Sequence, residues 1–242
     1  MRIVLFGGTG MIGQGVLREC LQSSDVLSVL SVGRRRIPDN LLSMHHDLSL
    51  DKKLQQVQSD NFAAIDWSKY GEFDACFWCV GVSSVGISDH EYTKVMRDLC
   101  FDTIQHLGKS ARRPPALVYI SAFGADSTQQ SSTHWKRVRG ETEQLLLDRA
   151  QNSGDTSKPF RDVYIFRPAF VQPLDNVRSS VAWYNWVYRS LSLITPLLQS
   201  VLPGMTSTRN IGRACVHLAW QTSYRSGILT SREINRFAEK QA

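Results

Sequence analysis

Residues Arg2–Gln22 read RIVLFGGTGMIGQGVLRECLQ, and the fold is decided there. Arg2–Phe6 is a short apolar run of strand character. Ile12–Gln22 carries Val16, Leu17, Cys20 and Leu21 at the spacing of one helix face. Between them lies a turn with glycines at Gly7, Gly10 and Gly13. A tight turn, close approach of backbone to a pyrophosphate, and close packing of helix on strand each demand a missing side chain. The helix that follows presents unpaired N–H groups and its positive dipole end. Gly7, Thr9, Gly10, Met11, Ile12 and Gly13 are therefore expected to cradle the phosphates of a dinucleotide. A glycine pattern alone is weak; its place between strand and helix makes it specific.

Working outward, Val26–Val32 is a second strand, and it runs into SVGRRR (Ser31–Arg36). An acidic residue at this strand end would accept from a ribose 2′-OH and favour NAD. None is present. Arg34 and Arg35, with Arg36 as a third donor, can pair with a 2′-phosphate, so NADP(H) is the expected cofactor; the bland alternative is a solvated basic turn. A weak third strand is expected within Leu42–Asp47, with Asp47 placed to contact adenine. Asp74–Val80 is strongly apolar, and Gly81, Val82 and Ser83 after it would border the nicotinamide ribose. Glu91–Leu107 is a helix with Val95, Leu99 and Ile104 on one side. Ala116–Ile120 is a strand, Trp135–Ala150 a helix and Gln151–Pro159 a polar loop. Val163–Phe166 is a strand stopped by Arg167-Pro168, and a last short strand is expected near Ile228–Leu229. This alternation implies an α/β fold, a Rossmann-type doubly wound parallel sheet. The expectation is one domain over residues 1–242, with 177–242 as a helical cap or tail on the substrate side.

At 242 residues, 21% of them charged and 42% hydrophobic, the chain is ordinary for a globular protein. Its net charge is +6, but the basic residues are scattered, and the one tight run is Arg34–Arg36. A cofactor phosphate explains that run more economically than nucleic acid, so no nucleic-acid partner is expected. The N-terminus enters a strand without a secretory apolar region, and the five cysteines are odd in number and dispersed. A cytoplasmic protein with free thiols is expected. Cys76 and Cys79 form a CxxC on a strand, where residues three apart face opposite ways, so neither a redox pair nor a shared metal is expected. His45-His46 lacks a third ligand, and no metal is expected. The aromatic segment Val181–Met205 has three readings. It could cap an apolar substrate pocket, form a homodimer interface, or lie peripherally on a membrane through Trp183, Tyr184, Trp186 and Tyr188. Pro196, Pro203 and Gly204 argue against a spanning helix. The protein is expected to be a monomer or homodimer.

Taken in order, VLFGGTGMIGQGVLREC, SVGRRR, DACFWCVGVSS, VYISAFGAD, WKRVRGETE and FRP resemble the atypical short-chain dehydrogenase/reductases. The similarity is closer to the branch holding Tat-interacting-protein-like oxidoreductases and bacterial epimerase-like proteins. It covers residues 1 to about 175, and the tail more loosely. The resemblance implies an NADP(H)-dependent oxidoreductase acting on a small apolar carbonyl, alkene or imine. In the wider family a Ser binds substrate, a Tyr exchanges the proton, and a Lys four residues later holds the ribose. By position, Ser121 matches the Ser, but Trp135 stands at the Tyr and Arg139 at the Lys. Ser121, Arg139, Arg167 and Pro168 join the expected cofactor contacts. Trp135 offers only a donor N–H and cannot shuttle a proton, whereas Arg139 could keep a ribose contact. His134, about 100° around the helix from Trp135, is one substitute acid, Tyr119 another, and Tyr92 and Asp126 further ones. Two other functions stay open: a non-redox isomerase or cyclase, and a catalytically silent nucleotide-sensing regulatory protein.

Overall fold

In the computed structural model, residues 1–39, 52–110, 113–151, 159–174, 177, 204–221 and 224–241 are described. β1 (Arg2–Phe6) leads through the glycine turn into α1 (Met11–Gln22), then β2 (Ser28–Gly33), β3 (Leu54–Gln58) and β4 (Ala75–Trp78). α2 comprises Asp89–Thr93, a π turn over Lys94–Asp98, and Leu99–Ser110. β5 (Ala116–Ile120), α3 (His134–Gln151), β6 (Asp162–Arg167) and β7 (Phe170–Gln172) follow. The chain ends with β8 (Met205–Ser207), α4 (Thr208–Trp220), β9 (Gly227–Thr230) and α5 (Ser231–Glu239).

Seven strands form one parallel sheet in the order β3-β2-β1-β4-β5-β6-β9, while β7 and β8 pair separately. The order reverses between β1 and β4, the switch point where open α/β sheets bind ligands. The expected doubly wound sheet is thus the observed one. Alternate strand residues serve opposite faces. Ile3, Leu5, Phe77, Val118 and Phe166 pack towards α1, α4 and α5. Val4, Phe6, Cys76, Trp78, Leu117 and Tyr119 pack towards α2, α3, Phe62 and Trp67. With both faces covered, β1, β4 and β5 read as continuous apolar runs.

Residues 40–51, including the expected third strand, Asp47, His45 and His46, lie outside the described residues. The strand beside β2 is LQQVQ of β3, at the sheet edge. Its glutamines do local work: Gln56 Oε1 accepts from Ile37 N at 2.8 Å, and Gln58 Nε2 donates to Arg34 O at 3.0 Å. They pin both ends of the arginine turn, which is why the strand carries no apolar alternation. In the tail, β9 is the short strand expected near Ile228–Leu229, and it adds to the sheet beside β6, while α4 covers α1. Contact is close: a Cβ on Gly15 would lie 2.6 Å from Thr208 Cβ, and one on Gly212 2.7 Å from Glu19 Cγ. The aromatic residues 181–203 lie outside the described set. Among the described residues, no helix is long and apolar enough to cross a membrane.

Candidate active site

The glycine turn sits at the switch point. Gly7 has φ +79°, and a Cβ there would lie 2.7 Å from the carbonyl carbon and oxygen of Cys79. A Cβ on Gly13 would overlap the Gly7 carbonyl. Gly10 N donates to Gly7 O at 3.0 Å and Gln14 N to Gly10 O at 2.8 Å, closing the turn onto α1. Gly10 is the N-cap, no side chain caps the helix, and its first turn holds no acidic residue. The leading N–H groups of α1 therefore face neither a capping oxygen nor a competing carboxylate, the donor set a phosphate requires.

A cleft of about 430 Å³ opens over this turn. Gly7, Thr9 and Gly10 form its floor. At one end stand Gly33, Arg34 and Arg35 from the end of β2, with Asp60 and Phe62 beside them. At the other end lie Cys79–Ser83, and α2 contributes Lys94, Val95 and Leu99 as a wall. Gly7, Thr9, Gly10, Arg34, Arg35, Gly81 and Val82 thus meet in one cleft. The side chains of Met11 and Ile12 pack against the core beneath α1 while their backbone opens the helix, and Gly13 sits behind Gly7. Arg34 and Arg35 are exposed. Asp60, two residues past β3, lines the cleft; Asp47, expected at the adenine, lies outside the described residues. Asp60, Phe62 and Lys94 were the residues that sequence reasoning missed.

Ser121 faces elsewhere. Its N–H donates to Phe166 O at 2.8 Å, and its hydroxyl donates to Glu143 Oε1 of α3. Glu143 is buried, and Arg167 grips both carboxylate oxygens, with Nε at 3.1 and 3.0 Å and Nη2 on Oε2. Arg167 Nη2 also donates to Ser127 Oγ at 2.6 Å. A buried carboxylate needs this compensation. Pro168 O accepts from Phe123 N at 2.9 Å. Ser121, Arg167 and Pro168, expected at the cofactor, therefore tie the ends of β5 and β6 to α3, and none of them lines the cleft. Gly140 and Asp126 belong to the same scaffold. A Cβ at 140 would overlap the Asp126 carbonyl, and Asp126 accepts from Thr128 Oγ1 at 2.7 Å and Ser131 N at 2.6 Å. Those hydrogen bonds, led by Thr128, pull the Asp126 carboxyl down to about 2.

Trp135 is half-buried and packs with Tyr92, Val138, Val82 and Val95, a cluster that shares Val82 and Val95 with the cleft. Arg139 Nε donates to Tyr92 Oη at 3.0 Å, and its Nη1 lies 3.5 Å from Ile120 O. A phenol and a permanent cation are thereby paired across α2 and α3, where the family places them on one helix. Only the fold brings residues 92 and 139 together. His134 Nε2 is hydrogen-bonded to Thr93 Oγ1 at 2.9 Å and lies 3.1 Å from Asp89 O, so it fastens α3 to α2. Tyr119 is wholly buried against Met96 O, and burial pushes its phenol up. Cys76 is buried on one face and Cys79 packs on the other; both are free thiols, pushed up by burial. Among the described residues, no group of His, Cys, Asp and Glu could hold a metal.

Neither a protein-family model nor a curated protein sequence matches the chain. Solved structures do. The chain is similar to an oxidoreductase of the short chain dehydrogenase/reductase family from Burkholderia thailandensis (TM-score 0.69, 15% identity, 95% of this chain and 90% of that one). A short chain dehydrogenase/reductase from Saccharomyces cerevisiae matches at TM-score 0.65 and 12% identity, over 98% of each chain. UDP-glucuronic acid 4-epimerase from Bacillus cereus, in complex with NAD, matches at TM-score 0.64 and 16% identity, over 96% of this chain and 76% of that one. Strand order, glycine turn and neighbours agree: the chain has the Rossmann fold of the short-chain dehydrogenase/reductases and their epimerase relatives.

Proposed function

We propose that this chain is an NADP(H)-dependent oxidoreductase that acts on a small apolar carbonyl, alkene or imine compound. One observation carries the reading: a single cleft joins the uncapped N-terminus of α1 to the exposed Arg34 and Arg35, with no carboxylate at the end of β2. When bound, the dinucleotide supplies the hydride. The chain supplies the rest. The α1 N–H groups hold the pyrophosphate, and Arg34 and Arg35 hold the 2′-phosphate with charge-assisted hydrogen bonds. Val82, Val95 and Leu99 give the cleft an apolar stretch that favours an apolar substrate. With Ser121 engaged by Glu143 and Trp135 unable to shuttle a proton, proton delivery is assigned to the Tyr92 hydroxyl, oriented by Arg139; Tyr92 is buried and adjoins the cleft through Val82 and Val95 of its cluster.

Trp135 and Arg139 in place of the Tyr and Lys favour a second reading, a nucleotide sensor without turnover. Calorimetric titration of the full chain with NADPH and NADH tests the first step. NADPH binding that weakens about tenfold or more on Arg34→Ala, with NADH binding unchanged, is expected for a charged contact to the 2′-phosphate. Binding of neither dinucleotide overturns the oxidoreductase reading. Tight NADPH binding without turnover of any carbonyl, alkene or imine in a broad panel favours the sensor.

A further inference from the structure

α2 is interrupted where it meets the cleft. Over Lys94–Asp98 it widens to a π turn, closed by a hydrogen bond from Leu99 N to Lys94 O. In an uninterrupted α-helix, residues five apart lie about 140° from each other around the axis. A turn closed five residues on brings them back to one side. Lys94, Val95 and Leu99 accordingly line the same cleft. Such π turns are disfavoured in mid-helix and recur at functional sites. The turn carries two cations with different fates. Arg97 is engaged by Asp98 at 2.8 Å and by Glu141 at 2.9 Å. Lys94 makes no ion pair among the described residues; it is exposed and lines the same cleft as Thr9 and Gly10.

The charge of the cleft needs such a group. Arg34 and Arg35 stand at the β2 end, and Asp60 beside them opposes them. The glycine turn brings backbone N–H groups but no basic side chain to a doubly negative pyrophosphate. We propose that Lys94 is the cation for the pyrophosphate of the bound dinucleotide, delivered to the cleft by the π turn of α2. The inference rests on the dinucleotide reading above and assigns a cationic contact in the cleft that holds the α1 N-terminus to this chain's own lysine.

The experiment is calorimetric titration of the full chain and its Lys94→Ala and Lys94→Arg variants with NADH and with NADPH. Thermal melting of each variant without ligand serves as the structural control. Loss of one charge-assisted contact is expected to weaken both dinucleotides by about tenfold. The factor is the same for each, because both carry the pyrophosphate. Lys94→Arg is expected to keep most of the affinity, and melting is expected to stay unchanged because the side chain is exposed. Unchanged affinities in Lys94→Ala overturn the proposal and leave the cofactor reading standing. A loss confined to NADPH also overturns it, since the contact would then be with the 2′-phosphate. Failure of the unmodified chain to bind either dinucleotide overturns both readings.

Discussion

Trp135 and Tyr92 show how much one side chain's direction decides. By spacing, Trp135 and Arg139 occupy one face of α3, and the sequence invites a reading of both as altered catalytic residues. In the fold, Arg139 turns its Nε to Tyr92 Oη on another helix, and Trp135 packs against the cluster of Tyr92, Met96 and Val138. A phenol on α2 thus lies beside the cation of α3. Tyr92→Phe keeps the packing and removes only the oxygen. If Tyr92 delivers the proton, this change is expected to lower kcat by about 10²–10⁴-fold, with the NADPH dissociation constant and melting temperature nearly unchanged. The check is NADPH oxidation with whichever apolar carbonyl the unmodified chain turns over. A Tyr92→Phe variant as fast as the parent would end the assignment. Ser121 carries the opposite lesson: its place at a strand end was legible, but the partner of its hydroxyl was not.

At the scale of elements, the VYISAFGAD, WKRVRGETE and FRP stretches are tied to one another, while the glycine turn, Arg34 and Arg35 line the cleft. Ser121 from β5, Glu143 from α3 and Arg167 from β6 meet in one buried group. Breaking a buried pair by removing one partner costs about 3–5 kcal/mol, whereas replacing both by apolar residues of similar size is far cheaper. Arg167→Met alone is therefore expected to lose about that much in urea unfolding. Glu143→Leu added to it is expected to recover half or more. A double variant no more stable than the single would show that Arg167 acts through something other than Glu143. The same comparison explains what the sequence could tell. β1, β4, β5 and the glycine turn were legible because strands covered on both faces are apolar throughout and the turn demands glycine. β3 was not, because an edge strand need not bury two faces and Gln56 and Gln58 serve the arginine turn instead. Asp60 and Phe62 were lost with it. The π turn of α2 leaves no periodic signature, and the pairing of residues 92 and 139 depends on how two helices are packed.

Across the whole molecule, the C-terminal third reaches back to the first helix. α4 lies along α1 with Gly15 and Gly212 at the crossing, and Arg213 Nε contacts Glu19 Oε2 at 3.1 Å. A Cβ at position 212 would also stand 2.9 Å from the Gly15 carbonyl. Nothing there can yield except side chain or helix, so Gly212→Ala is an overpacking change expected to cost about 1–3 kcal/mol. Because α1 carries the phosphate-binding turn at its N-terminus, displacing it is expected to weaken NADPH as well as stability. Gly227 in β9 has nothing within 4 Å of an added Cβ, so Gly227→Ala serves as the control. NADPH at a hundred times its dissociation constant is expected to add about 2.7 kcal/mol to the parent chain. For a domain of this size that raises the melting temperature by roughly 5–10 °C. At the same NADPH concentration, Gly227→Ala is expected to show the full rise and Gly212→Ala a smaller one from a lower starting point. If Gly212→Ala melts early yet shows the full rise, α4 stabilises the domain without shaping the cofactor turn, and the coupling argued from the Gly15–Gly212 crossing is wrong.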